Sequence, residues 1–250
     1  MTDQARTQAV LVSGGSRGIG RAVALAFASD RARTVVVNYV RNDVEAEKTR
    51  ALVESCGAEC VLARANLQYP DQVEGLFETV RQRAGTLDVF VHCAALGSFK
   101  PTLEIKPNQW DLTMNVGARS FLLCAQQCAS LMKKGSIIAL SSLGSVRVTP
   151  NYGAMGVTKS ALESLVRYLA VDLAPRGIRV NAVSGGFVET DSIKNFPQFE
   201  TLSREIVERT PAGRIAQPAD LANVVMFLAD PASGWIYGQT LIADGGISLR

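Results

Sequence analysis

The chain is poor in the residues that build metal centres and disulfide frameworks. It has one histidine, His92, and five cysteines (Cys56, Cys60, Cys93, Cys124 and Cys128), an odd number without Cys-x-x-Cys spacing. No zinc set assembles from these, so no metal is expected, and the thiols read as small core or surface groups of a reducing cytosol. An excess of one charge sign is also missing. The 26 Lys and Arg against 23 Asp and Glu give +3 with no basic stripe, which excludes a protein that lives by neutralising nucleic-acid phosphates. Apolar runs such as Ala9 to Val12 or Thr34 to Val37 are far too short to cross a bilayer, and the initial MTDQARTQ lacks a charged-then-apolar signal pattern. A soluble, cytoplasmic protein without membrane partners is expected. Charged residues, at 20%, fall below the usual quarter, as they do where another subunit or a broad buried sheet covers surface.

What is present is length and rhythm. A chain of 250 residues buries enough surface to need no staple, and residues 1–250 read as one domain. Short β-branched runs (Gln8 to Ser13, Thr34 to Asn38, Cys60 to Arg64, Asp88 to His92, Ser136 to Ser141, Arg179 to Val183, Thr240 to Ala243) alternate with helical windows. Those windows lie near Gly20 to Ser29, Val44 to Cys56, Asp71 to Arg83, Asn108 to Met132, Tyr152 to Leu173 and Ala219 to Leu228. Such alternation predicts an α/β fold: a doubly wound, Rossmann-type parallel sheet of about seven strands with helices on both faces. The stretch Thr190 to Arg214, with Pro197 and Pro211, breaks the rhythm and reads as a lid over a binding site.

Ser13-Gly14-Gly15-Ser16-Arg17-Gly18-Ile19-Gly20 follows the first strand and opens the first helix. Glycines there let the backbone turn tightly against a pyrophosphate, whose charge the free N–H groups of the helix start attract. At the end of the second strand an acid usually holds the ribose of NAD; here the residues are Asn38-Tyr39-Val40-Arg41. With no acid present, and with Arg41 and Arg17 available to clamp a 2′-phosphate, NADPH is the expected cofactor.

The glycine cluster, Asn115 in the long middle helix, Ser141-Ser142, a tyrosine and lysine on the next helix, and Asp244-Gly245-Gly246 resemble the short-chain dehydrogenases/reductases over essentially the whole chain. That family usually carries Tyr-x-x-x-Lys, with a serine thirteen residues before the tyrosine. Here Ser142 and Lys159 stand seventeen residues apart as the family requires, but the usual tyrosine position is Met155, and the nearest tyrosine is Tyr152. Tyr152 and Lys159 form Tyr-x6-Lys, the pattern of the family's enoyl-acyl-carrier-protein reductases. The stretch from Ser141 through Lys159 to Ser184-Gly185-Gly186, with Thr210-Pro211-Ala212-Gly213-Arg214 beyond, is similar to the NADPH-dependent FabL type.

Helix geometry separates the two patterns independently of the name. Seven residues make about 700° of rotation, so Tyr152 and Lys159 share a face roughly 10 Å apart along the axis, against about 6 Å for a spacing of four. A ketone takes hydride and proton on adjacent atoms. A conjugated enoyl thioester takes hydride at C3 while charge gathers on the C1 oxygen, roughly 3 Å away, which suits a displaced donor.

The resemblance implies roles residue by residue. Lys159 holds the nicotinamide ribose and helps Tyr152 hydrogen-bond the substrate carbonyl; Ser142 and Asn115 are secondary catalytic candidates. Gly14, Ser16, Arg17, Gly18, Ile19, Gly20, Asn38, Arg41, Asn66, Leu67, Ala94, Val188 and Thr190 are the cofactor-binding candidates. Asn66-Leu67 stands where Asp-Val usually meets adenine. His92-Cys93-Ala94-Ala95 replaces Asn-Asn-Ala-Gly, and His92 is expected to be structural. Phe187, Ile193, Phe196 and Phe199 are candidates for an acyl channel, and Lys194, Arg204, Arg209 and Arg214 for greeting an acidic carrier. The expected substrate is an enoyl thioester on acyl carrier protein. A 3-oxoacyl or other carbonyl reductase and a non-catalytic NADP(H)-binding sensor remain alternatives. Apolar Ala161, Leu162, Leu165, Val166, Leu169 and Ala170 span more of their helix than one stripe needs, which points to a homotetramer or dimer.

Overall fold

The computed structural model describes residues 8–30, 32–190 and 199–250, and of 199–202 the backbone only. Among these residues seven strands form one parallel sheet in the order β3-β2-β1-β4-β5-β6-β7. They are β1 (Gln8–Ser13), β2 (Ala32–Tyr39), β3 (Glu59–Arg64), β4 (Val89–His92), β5 (Gly135–Ser142), β6 (Ile178–Gly185) and β7 (Thr240–Ala243). The helices between them are α1 (Gly18–Asp30), α2 (Asp43–Ser55), α3 (Pro70–Ala84), α4 (Pro107–Met114), α5 (Ser120–Leu131), α6 (Gly153–Leu173), α7 (Phe199–Arg209) and α8 (Pro218–Ala229).

Strand periodicity divides the core into two layers. Along β1, Leu11 points to the face covered by α3, α5 and α6, while Val10 and Val12 point to the face covered by α1, α2 and α8. Phe77, Phe121 and Leu162 fill the first layer; Phe27, Val53 and Leu221 fill the second. Both faces of the central strands are buried, which is why β1 and the middles of β2 and β5 read as continuous apolar runs, while β6 buries Arg179 and Asn181 among its apolar residues.

Chain order reverses between β1 and β4, and the crevice beyond their carboxyl ends is where such sheets take ligands. The window expected as one helix from Asn108 to Met132 begins at Pro107 and is divided by a π-helical turn, Asn115–Arg119. Gly117 permits that wider turn to press on α6: a methyl group there would lie 2.1 Å from Thr158 Cγ2. The irregular stretch after β6 is pinned at both ends, with Val188 bridged to Ala216 and Glu189 N–H donating to the Ala216 carbonyl at 2.8 Å. Within it lies α7, which the sequence rhythm does not announce. No described helix is long and apolar enough to cross a membrane.

Candidate active site

The loop after β1 is shaped by contact. Gly14 adopts φ +63°, and a side chain on Gly20 would strike the Gly14 carbonyl oxygen at 2.3 Å, so α1 starts hard against the turn. Across the crevice Gly14 lies against Ala94, and Gly18 lies against Thr190, 3.5 Å from a built Cβ to Thr190 Cγ2. Three candidate segments, after β1, β4 and β6, therefore meet around the start of α1. A bent anionic group fits this cradle: Gly14 and Gly18 leave the loop without side-chain bulk, and the exposed N-terminus of α1 supplies unpaired N–H groups and a positive dipole.

The loop is held from outside. Arg21 donates to the Ser16 carbonyl at 2.6 Å and to Thr49 at 2.8 Å and pairs with Glu45 at 2.5 Å, while Thr49 also donates to Ser16 O at 2.9 Å. Sequence reading missed this brace; its only signal was a cation one turn into α1. Asn38 acts from behind. Its buried amide donates to the carbonyls of Ala63 and Ala65 at 3.2 and 2.9 Å and its Oδ1 accepts from Gly14 N–H at 3.4 Å, so it shapes the loop with its side chain turned inward. Arg17 and Arg41 are exposed and carry no hydrogen bond or ion pair among the described residues. Ile19 packs on the core, Leu67 and Val188 are buried, and Asn66 Oδ1 accepts from Gln68.

At the carboxyl end of β5 the chemical candidates converge. Lys159 is only 5% exposed and donates through Nζ to the Leu140 carbonyl at 2.6 Å. Two residues further along the strand, about 7 Å, the Ser142 hydroxyl accepts from Gly144 N–H at 3.2 Å and stands close enough to the Tyr152 phenol to lower its proton affinity. Tyr152 is the N-cap of α6 rather than its first helical residue. Its ring lies on Gly144, where a methyl group would come within 2.5 Å of two ring carbons, and 5.9 Å from the Phe99 ring on its other side. Met155 is buried, with its sulfur against Gly97. The Asn115 carboxamide, in the π-turn, makes no hydrogen bond among the described residues.

Burial sets the proton affinities. It pushes the Tyr152 phenol above its ordinary value, opposed by the Ser142 hydroxyl. It pulls Lys159 down to about 8, with Cys93 and Glu163 acting in the other direction. His92, fully buried, falls to about 3, so its imidazole is neutral. Ser13 Oγ accepts from Ala94 N–H and shares a hydrogen bond with His92 Nδ1 at 3.0 Å, while His92 Nε2 lies 3.4 Å from Ser120 Oγ, beside Gly117. His92 thereby joins the end of β1 to the π-turn, a structural role.

Ile193, Lys194 and Phe196 lie outside the described residues, as does the side chain of Phe199. Phe187 and Arg214 line a cavity of about 210 Å³ with Ile206, Thr210, Ala243 and Asp244, and Arg214 pairs with Asp220 at 2.6 Å rather than standing free. Among the described residues no cluster of His, Cys, Asp or Glu is placed to hold a metal ion.

A doubly wound sheet, a glycine-rich turn at its switch point and a buried lysine beside a tyrosine–serine pair define an oxidoreductase domain built around a nicotinamide dinucleotide. Comparison with known proteins agrees. The family model described as "Enoyl-(Acyl carrier protein) reductase" matches residues 14–248. A 1-cyclohexenylcarbonyl-CoA reductase of Streptomyces collinus is 43% identical over 98% of this chain and 88% of its own. A 3-oxoacyl-[acyl-carrier-protein] reductase of Synechocystis is 33% identical over 97% of each. Among solved structures, a variant short-chain dehydrogenase/reductase of Serratia marcescens superposes with a TM-score of 0.91 at 30% identity, covering 97% of this chain and 98% of the other. The chain belongs to the short-chain dehydrogenase/reductase family, on its enoyl-acyl-carrier-protein-reductase-like side.

Proposed function

We propose that this oxidoreductase uses NADPH to reduce the C2=C3 double bond of an enoyl thioester carried on acyl carrier protein, in chemistry of the fatty-acid-synthesis type. The observation that carries the reading is the Tyr152 ring seated on Gly144 at the start of the helix that buries Lys159, while Met155, an apolar thioether, occupies the position from which ketone-reducing relatives donate. The family model's description supports it. So does the Streptomyces relative, whose name denotes a ring double bond conjugated to a thioester carbonyl.

The bound dinucleotide supplies hydride equivalents. Gly14, Gly18 and the start of α1 would hold its phosphates, Arg17 and Arg41 its 2′-phosphate, and Lys159 its ribose hydroxyls. Tyr152, kept protonated by burial, donates a hydrogen bond to the thioester carbonyl oxygen as enolate charge gathers there. The ring's contacts with Gly144 and Phe99 restrict its rotation and so direct the phenol.

A second reading, 3-oxoacyl reduction, is favoured by the Synechocystis relative and by the serine–tyrosine pair itself, which also suits a ketone oxygen. Competition decides between them. Given equimolar crotonyl-CoA and acetoacetyl-CoA with NADPH, the protein should form butyryl-CoA at least tenfold faster than 3-hydroxybutyryl-CoA by mass spectrometry. The reverse preference would establish the carbonyl reductase, and NADPH binding with neither product would establish a sensor.

A further inference from the structure

Glu163 is a carboxylate only 8% exposed, on the core side of α6, one helical turn beyond Lys159. The mechanism above gives it no task. Its Oε1 accepts from Ser145 Oγ at 2.7 Å and from Ser141 Oγ, and these two serines flank Ser142 in sequence. Ser141 is in β5, and Ser145 closes the short turn Leu143–Ser145 that carries Gly144 beneath the Tyr152 ring. A single buried acid thus grips both ends of the segment on which the serine–tyrosine pair is built, and faces the lysine.

We infer that Glu163 is a positioning residue of the active site: its carboxylate clamps the 141–145 segment so that Ser142 and Gly144 hold Tyr152 in register, and it sets a negative charge one helical turn from Lys159. Burying a carboxylate is costly, and two hydroxyl donors with a facing cation offset that cost. An apolar residue would pack the same space more cheaply if no such duty existed. The groups facing Lys159 are Glu163 on α6 and His92 and Cys93 at the end of β4. Burial keeps His92 neutral above about pH 3 and the Cys93 thiol protonated to about pH 12, so neither replaces the acid's charge near pH 8.

The inference rests on the catalytic reading of Tyr152 and Lys159, yet one arm of its test needs no turnover. NADPH affinity, followed by nucleotide fluorescence, should decline in the wild type as pH rises through about 8. Glu163→Gln keeps the size of the side chain and removes its charge. It should move that decline down by about one pH unit, while Glu163→Asp stays near the wild-type profile. In the turnover arm, Glu163→Gln should lower kcat on the preferred thioester about tenfold with KM within about twofold. An unchanged pH profile together with unchanged kcat would overturn the inference. Should Glu163→Gln fail to fold, Ser141→Ala with Ser145→Ala decides, because it frees the clamp and keeps the charge. Reduced kcat at unchanged KM and unchanged pH profile supports the clamp; wild-type kcat overturns it. A wild type that shows the binding profile but reduces neither thioester would defeat the proposed function and leave the Lys159–Glu163 coupling standing.

Discussion

At the residue scale, each polar group near the crevice is either spent on the fold or left for a ligand. Asn38, His92 and Arg21 are spent: their bonds join one element of the fold to another. Arg17 and Arg41 are exposed guanidiniums without partners among the described residues, Arg17 on the glycine-rich loop and Arg41 just past the end of β2, where an acid would select NAD. Arg41→Ala should therefore weaken NADPH binding about tenfold or more and leave NADH within about twofold, read by titrating nucleotide fluorescence. Equal weakening of both nucleotides would count against a 2′-phosphate clamp. The glycine turn, Ser142, Tyr152 and Lys159 were legible in sequence because covalent spacing fixes them along one strand and one helix. Glu163 was not, because its importance comes from accepting two serines of another element across 18 and 22 residues. The inward turn of Asn38 was hidden for the same reason, since its acceptors are carbonyls of β3 and the residue just beyond it.

At the element scale, strands and helices were read correctly wherever one hydrophobic period held. They blurred where the hydrogen-bond pattern changed without any change in hydrophobicity. The π-turn is such a place: Asn115–Arg119 continues the apolar pattern of its neighbours, and only its contact with Thr158 and the His92 link require a wider turn. On helix α6, Leu162, Val166, Leu169 and Ala170 form the stripe buried in the chain's own core. A second row, Val157, Ala161, Ser164, Tyr168 and Val171, recurs every three or four residues on the outer side, with Tyr168 and Val171 72% and 75% exposed. We propose that this row meets another copy of the chain in a homotetramer or dimer. Light scattering should give a multiple of 26.8 kDa that falls on Tyr168→Glu with Val171→Glu; a wild-type monomer would remove the proposal.

At the scale of the whole molecule, a dry, two-sided parallel sheet fixes the carboxyl ends of β1, β4, β5 and β6 relative to one another. The candidate groups hang from those ends, from the ends of β2 and β3, or from the segments that follow them. The fold supplies the dinucleotide cradle by topology alone, which explains why relatives with different named reactions share it at 33% and 43% identity. The rest of the site is local: a phenol set before α6, a methionine where the family's usual Tyr-x-x-x-Lys pattern would put it, and a clamped turn beneath. The most direct measurement is the turnover of crotonyl-CoA by Tyr152→Phe with NADPH, alongside its NADPH affinity. The account predicts a loss of kcat of about a hundredfold with nucleotide affinity within about twofold; wild-type kcat in the variant would contradict it.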